Sequence, residues 1–296
     1  MPKHCPACGR PNGDQARRCL YCSCELADVL AEEKPSTGTG KATERHLVIL
    51  LPQQNEDPQR LRPFAEAFGL SDYDARLALA TDRARLIRRV EDLDAARRLS
   101  GELSTVAIAH YVVSERQVES TTITPIRRLM LDDKLSFVTE AKQWHIAYED
   151  LLLVVVGEIQ RERYQEGLIA SSKGASAPLT PGSRVHLFTR DSQTAIEIDP
   201  ESFDWARTLD DASAAAVVNQ QKLLDFLETK NPSLEIDRDF NWETPVTARV
   251  DSGSDLSSML TERDAKNRGQ VHDNSAQFHF YSRWRYRLAK HLASRE

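Results

Sequence analysis

All five cysteines of this 296-residue chain lie before residue 25. Four of them form two Cys-x-x-Cys turns, Cys5-Pro-Ala-Cys8 and Cys19-Leu-Tyr-Cys22, separated by ten residues. Each turn points two sulfurs to one side of a tight backbone reversal, so the pair offers four thiolates to one tetrahedral ion. A closed shell of soft thiolates suits zinc and leaves no position for water. The predicted centre of Cys5, Cys8, Cys19 and Cys22 is therefore structural, with one Zn²⁺ per chain. Gly9 follows the first turn, where tolerance of positive φ helps the backbone bend; Ser23 stands at the equivalent place after the second. Disulfide pairing is the competing use of these residues. Met1-Pro-Lys-His leads into the first turn without an apolar stretch, so no export signal is expected, and thiols stay reduced in the cytoplasm. Cys24 is expected to be an ordinary fifth thiol, with exchange against Cys22 as the alternative.

The stretch from Cys5-Pro-Ala-Cys8-Gly-Arg-Pro-Asn to Arg18-Cys19-Leu-Tyr-Cys22 resembles the short zinc ribbons that head many bacterial proteins of unassigned role. The resemblance covers about a tenth of the chain. It implies zinc on Cys5, Cys8, Cys19 and Cys22, and departs from the family where Ser23 replaces the usual Gly. Ribbons of this kind serve in nucleic-acid binding and as protein-docking knobs. Charge leans away from nucleic acid: Lys3, Arg10, Arg17 and Arg18 outnumber Asp14 and Glu25 only slightly, and a zinc tetrathiolate is itself a dianion.

The whole chain is mildly acidic, with 39 Lys and Arg against 45 Asp and Glu and a formal charge of −6. That balance argues against a protein built mainly to neutralise phosphates. With 40% hydrophobic and 28% charged residues it can bury a core, and its length calls for more than one folding unit. The longest apolar run, 151–156, falls far short of the roughly 18 residues of a membrane span, so no transmembrane segment is expected.

Residues 28–45 are rich in Gly, Ser and Thr and are expected to tether the ribbon, 1–27, to the body. Gly38-Thr-Gly40-Lys41 is not a phosphate loop, because Pro35 and Ala42 stand where Gly and Ser or Thr are required. Residues 46–118 read as strand 46–51, a helix with Leu61, Phe64, Ala65 and Phe68 on one face and a stop at Gly69, a short helix opened by a Ser71–Asp74 capping box, strand 83–90, helix 92–103 and strand 105–113. This order predicts a small ferredoxin-like α/β module. Its arginines, interspersed with acids, predict a solvated surface.

Residues 114–124 read as a polar spacer. From 123 to 296 the chain alternates short apolar segments with acidic turns such as Asp132-Asp133 and Asp191-Ser192, which predicts an antiparallel β-rich meander with helices at 213–229 and 276–293. The segments 167–182 and 251–275 are expected to be mobile loops. Strands closed by a terminal helix are similar in pattern to the pleckstrin-homology-like fold, which implies a binding platform for peptides or phosphoinositides. The expected class is thus multi-domain α+β.

No catalytic constellation stands out. There is no Gly-x-Ser-x-Gly, no His-Glu-x-x-His, and no cysteine outside the ribbon to act as nucleophile. His110, His145 and His186 lie in predicted strands, where a satisfied histidine is expected. The last helix interleaves bases and aromatics, and Arg283, Trp284, Arg287 and Lys290 form a candidate interaction surface for single-stranded nucleic acid or an anionic membrane. The simpler expectation is that Tyr281, Trp284, Leu288 and Leu292 pack on the sheet while the arginines face water. The reading that emerges is a cytoplasmic, non-enzymatic zinc-ribbon adaptor with an unknown protein partner. A nucleic-acid-associated regulator is the alternative.

Overall fold

The structure, a computed structural model, describes residues 3–4, 11–12, 44–53, 58–80, 82–139, 143–165, 175–178, 180–191, 194–240 and 271–295. The ribbon cysteines, most of the tether and most of the two expected mobile segments lie outside the described residues. Described residues up to Glu115 belong to one compact unit and those from Arg116 onward to a second. The chain is α+β.

At the N-terminus β1 (Lys3–His4) pairs antiparallel with β2 (Pro11–Asn12). The core of the first unit forms around β3 (His46–Leu50), in which every residue is buried. Two helices follow, α1 (Pro58–Phe68) and α2 (Asp72–Leu79), then β4 (Arg85–Val90), α3 (Leu93–Thr105) and β5 (His110–Ser114). Gly69 ends α1 at φ +62°, the left-handed conformation that glycine adopts without a Cβ penalty. Ser71 accepts from the Asp74 amide at 3.1 Å and Asp92 from the Ala95 amide at 2.6 Å, so both following helices start on side-chain caps.

β3 lies between β4 and β5 and runs antiparallel to both. The outer strands are therefore parallel and joined through α3, a split β-α-β. Val48, Leu50, Phe64, Phe68, Leu99 and Leu103 close the core beneath the helices. Two expectations change. The third strand starts later than predicted, because α3 runs on to Thr105 and the chain then turns through Ala107 at φ 53°. The arginines of β4 are not all solvated: Arg88 donates to the Ala67 and Phe68 carbonyls at the end of α1, at 3.2 and 2.9 Å, and Arg89, with its side chain 7% exposed, pairs with Glu115.

The stretch read as a polar spacer holds a short helix, α4 (Glu115–Glu119), and the start of β6 (Thr122–Ile126). The second unit continues with β7 (Met130–Leu131), β8 (Leu135–Val138) and β9 (Gln143–Ile146), which form a three-stranded antiparallel meander. Next come β10 (Leu151–Ile159), β11 (Arg161–Gln165), β12 (Ala175–Pro178), β13 (Gly182–Thr189) and β14 (Thr194–Ile198). The unit ends with α5 (Ala216–Lys230), β15 (Glu235–Phe240), β16 (Val271–Asp273) and α6 (Ser275–Ala293). Part of the segment read as loop 167–182 is thus strand β12, paired with β11.

The main sheet has the order β15-β10-β13-β14-β6. Its three inner strands are antiparallel neighbours, but β15 joins β10 and β6 joins β14 in parallel. The wholly antiparallel meander is therefore corrected to a mixed sheet. For β15 the cause is a crossover: α5 carries the chain from β14 to the far edge, so β15 runs in the direction of β14 and hence of β10.

Alternation along β13 divides the two faces. Val185 and Leu187 enter the core that holds Val154, Ile196, Ile198 and the α5 leucines Leu223, Leu224 and Leu227. His186 and Phe188 face the other way and meet α6, with ring centroids 4.5 Å from Phe278 and 4.7 Å from Tyr286. Helix α6 crosses β10 where Gly157 lies; a Cβ there would sit 3.0 Å from the Phe240 ring and inside the contact distance of the Phe278 ring.

Candidate functional site

His186 of β13 and Glu197 of β14 are direct cross-strand partners, so both side chains stand on the face covered by α6. From α6, His279 reaches the same point. His186 Nε2 lies 3.0 Å and His279 Nε2 2.5 Å from one carboxylate oxygen, Glu197 Oε2. One potential ligand atom from each residue lies within 4.8 Å of the others. His186 Nδ1 meets Ser282 Oγ at 2.7 Å, one helical turn along from His279, and the same hydroxyl donates to the His279 carbonyl at 3.2 Å. Two strands in register and one helix thus place two imidazoles and a carboxylate together.

The cluster is graded in depth. The His186 side chain is fully buried, that of Glu197 is 15% exposed and that of His279 31%. Burial pushes the His186 pKa down to about 4, against the opposing hydrogen bond to Glu197. Burial alone would raise Glu197, but its hydrogen bonds from His186 and His279 outweigh that and hold the carboxyl far below the usual carboxylate range. The resting charge state is a carboxylate facing a neutral His186.

His110 and His145 behave as the sequence suggests. His110 bonds Ser100 Oγ at 2.7 Å and the Ile108 carbonyl at 2.8 Å, and His145 bonds Ser136 Oγ at 2.7 Å. His186 has such a serine too, and adds the carboxylate and a second imidazole. A turn centred between Asp191 and Ser192 makes residue 186 the partner of 197 by counting alone. What the sequence does not disclose is that α6 brings His279 over that rung.

Cys5, Cys8, Cys19, Cys22 and Cys24 lie outside the described residues. Arg283, Trp284, Arg287 and Lys290 all lie on α6, but not as one open surface. Trp284 is 2% exposed and packs edge-on to Tyr281. Arg283 is partly buried, and that burial lowers its pKa against the pull of Glu119. Arg287 donates to Ser120 Oγ at 2.8 Å and, like Lys290, lies over the Tyr286 ring. The residues that meet the sheet include Phe278, His279, Tyr281, Ser282, Arg285 and Tyr286. Leu292, expected in the packing stripe, is 41% exposed.

Neither a protein-family model nor a curated protein nor a solved structure matches the chain. Among the described residues no helix is long and apolar enough to cross a membrane.

Proposed function

We propose that the chain is a non-enzymatic zinc-ribbon adaptor of the cytoplasm, in which Cys5, Cys8, Cys19 and Cys22 hold one structural Zn²⁺ and the ribbon docks a protein partner. The observation that carries this reading is the pairing of β1 with β2, Lys3 opposite Asn12 and His4 opposite Pro11. These short strands bracket Cys5 and Cys8 in the sequence, which is how a zinc knuckle is built. The split β-α-β supports reading the first unit as a ferredoxin-like module with three of that fold's strands. The second unit serves as a folded platform, and its mixed sheet draws the reading away from the pleckstrin-homology-like fold. Engagement of Arg287 and Lys290 on the helix's own tyrosine favours protein docking over nucleic acid.

The test has two parts. In the purified chain one thiol, Cys24, should label promptly and the other four only after a chelator is added, whereas in Cys5→Ser or Cys22→Ser all remaining thiols should label at once. Immediate labelling of all thiols in the native chain sinks the ribbon. Quantitative affinity capture with the wild-type chain and with Cys5→Ser/Cys22→Ser should enrich a protein set that the double variant loses. An unchanged set refutes docking through the ribbon.

A further inference from the structure

His186 stands between two partners. Its Nδ1 lies 2.7 Å from Ser282 Oγ and its Nε2 3.0 Å from Glu197 Oε2, which is also 2.5 Å from His279 Nε2. The Ser282 hydroxyl, 3.2 Å from the His279 carbonyl, can donate there and accept from His186 Nδ1–H. In that tautomer the Nε2 lone pair faces the carboxylate, the arrangement in which an imidazole binds a metal ion through Nε2. One ligand atom from each of the three residues lies within 4.8 Å of the others, so a single cation can be shared among them.

From this arrangement we infer that His186 Nε2, Glu197 Oε2 and His279 Nε2 form a metal site for one divalent first-row transition ion of the zinc type. The donor set suits such an ion, since imidazole nitrogen with one carboxylate oxygen is a common zinc environment and a poor one for magnesium or calcium. The spacing fits after a small opening. Donors about 2 Å from a tetrahedral ion stand about 3.3 Å apart, against 3.0 and 2.5 Å for the two nitrogen–oxygen distances here. Ser282 plays the orienting part that a second hydrogen bond usually plays for a ligating histidine. Entry is from the side of His279, the most exposed of the three. Three protein donors leave a further coordination position for water, unlike the closed tetrathiolate proposed for the ribbon. The site does not depend on the ribbon and is read separately from it.

The experiment is zinc titration of the full-length, chelator-stripped chain against a chromophoric competitor, with folding checked by circular dichroism. His279→Ala should take up one equivalent less than wild type. Ser282→Ala should bind about ten-fold more weakly at unchanged stoichiometry. In Cys5→Ser/Cys22→Ser, cobalt should give weak ligand-field bands without thiolate charge-transfer absorption, and His279→Ala in that background should abolish them. Equal zinc uptake by wild type and folded His279→Ala overturns the site. Should His279→Ala fail to fold, the cysteine double variant decides: no zinc-dependent rise in its melting temperature and no cobalt bands overturn it equally.

Discussion

Asp237, on the edge strand β15, is bound by Arg285 of α6 with its side chain fully buried, and the Arg285 side chain is 13% exposed. Tyr281 donates to the same carboxylate at 3.0 and 3.2 Å, and Arg285 reaches Glu235 at 2.8 Å. The last helix is thereby tied by side chains to the edge strand of the main sheet. Removing one charge strands the other in a dry site. Arg285→Met is expected to destabilise the fold by about 3–5 kcal/mol, whereas Asp237→Leu/Arg285→Met should lie near neutral. Urea unfolding of the single and double variants gives the coupling. A single variant as stable as wild type would show that the pair does not hold α6.

Gly157 gives a second test of how α6 sits. Phe278, whose ring occupies the space of the missing Cβ, is itself fully buried and has no room to swing away. Gly157→Ala should cost about 1–3 kcal/mol through overpacking. Phe278→Leu should recover part of that loss in the double variant, because neighbouring sites couple. Strictly additive effects in thermal or denaturant unfolding would mean that the helix adjusts freely.

Much of this was legible in the chain. The run 46–51, the stop at Gly69 and the caps at Ser71 and Asp92 mark elements of the first unit, because they are decided by local chemistry. The C-terminal helix was legible as well, and its packing face in part: Tyr281, Trp284 and Leu288 are buried as their spacing suggests, Leu292 is not, and the polar members of that face gave no signal. Arg285 and Ser282 face the sheet because Asp237 and His186 await them there, and no periodicity of apolar residues reports a polar partner on a distant strand. The edge strand β15 carries Glu235, Asp237 and Asp239, so its composition hides a strand that is held by pairing to β10. The His186–Glu197 rung follows from the hairpin turn, whereas His279 enters only through tertiary packing.

Asn231, just beyond α5, shows how a polar side chain fixes the helix end. Buried at 5% exposure, it donates to the Tyr148 and Leu151 carbonyls at 2.9 and 3.1 Å and accepts from the Ser233 hydroxyl at 2.8 Å. Asn231→Leu leaves two carbonyls and a hydroxyl without these bonds. The expected loss is about 2–4 kcal/mol by chemical denaturation, larger than for one exposed hydrogen bond. A change near zero would mean that water replaces the amide.

Alkaline stability follows from three tyrosines. Burial raises the pKa of Tyr148, with Asp132 and Asp133 adding to it; burial and then Asp237 raise Tyr281; burial raises Tyr286, with Arg287 opposing and Asp191 adding. In the unfolded chain a phenol ionises near pH 10. The folded protein therefore keeps protons that the unfolded chain has lost, so stability is undiminished by these groups below about pH 10 and falls as pH rises above it. Each such phenol contributes a slope of about 1.4 kcal/mol per pH unit. Tyr281→Phe should remove one proton's share of that slope, whatever its effect at neutral pH. Phenolate absorbance followed together with circular dichroism checks this: part of the signal from the seven tyrosines should appear only with cooperative unfolding. Complete ionisation of a chain that stays folded would refute it.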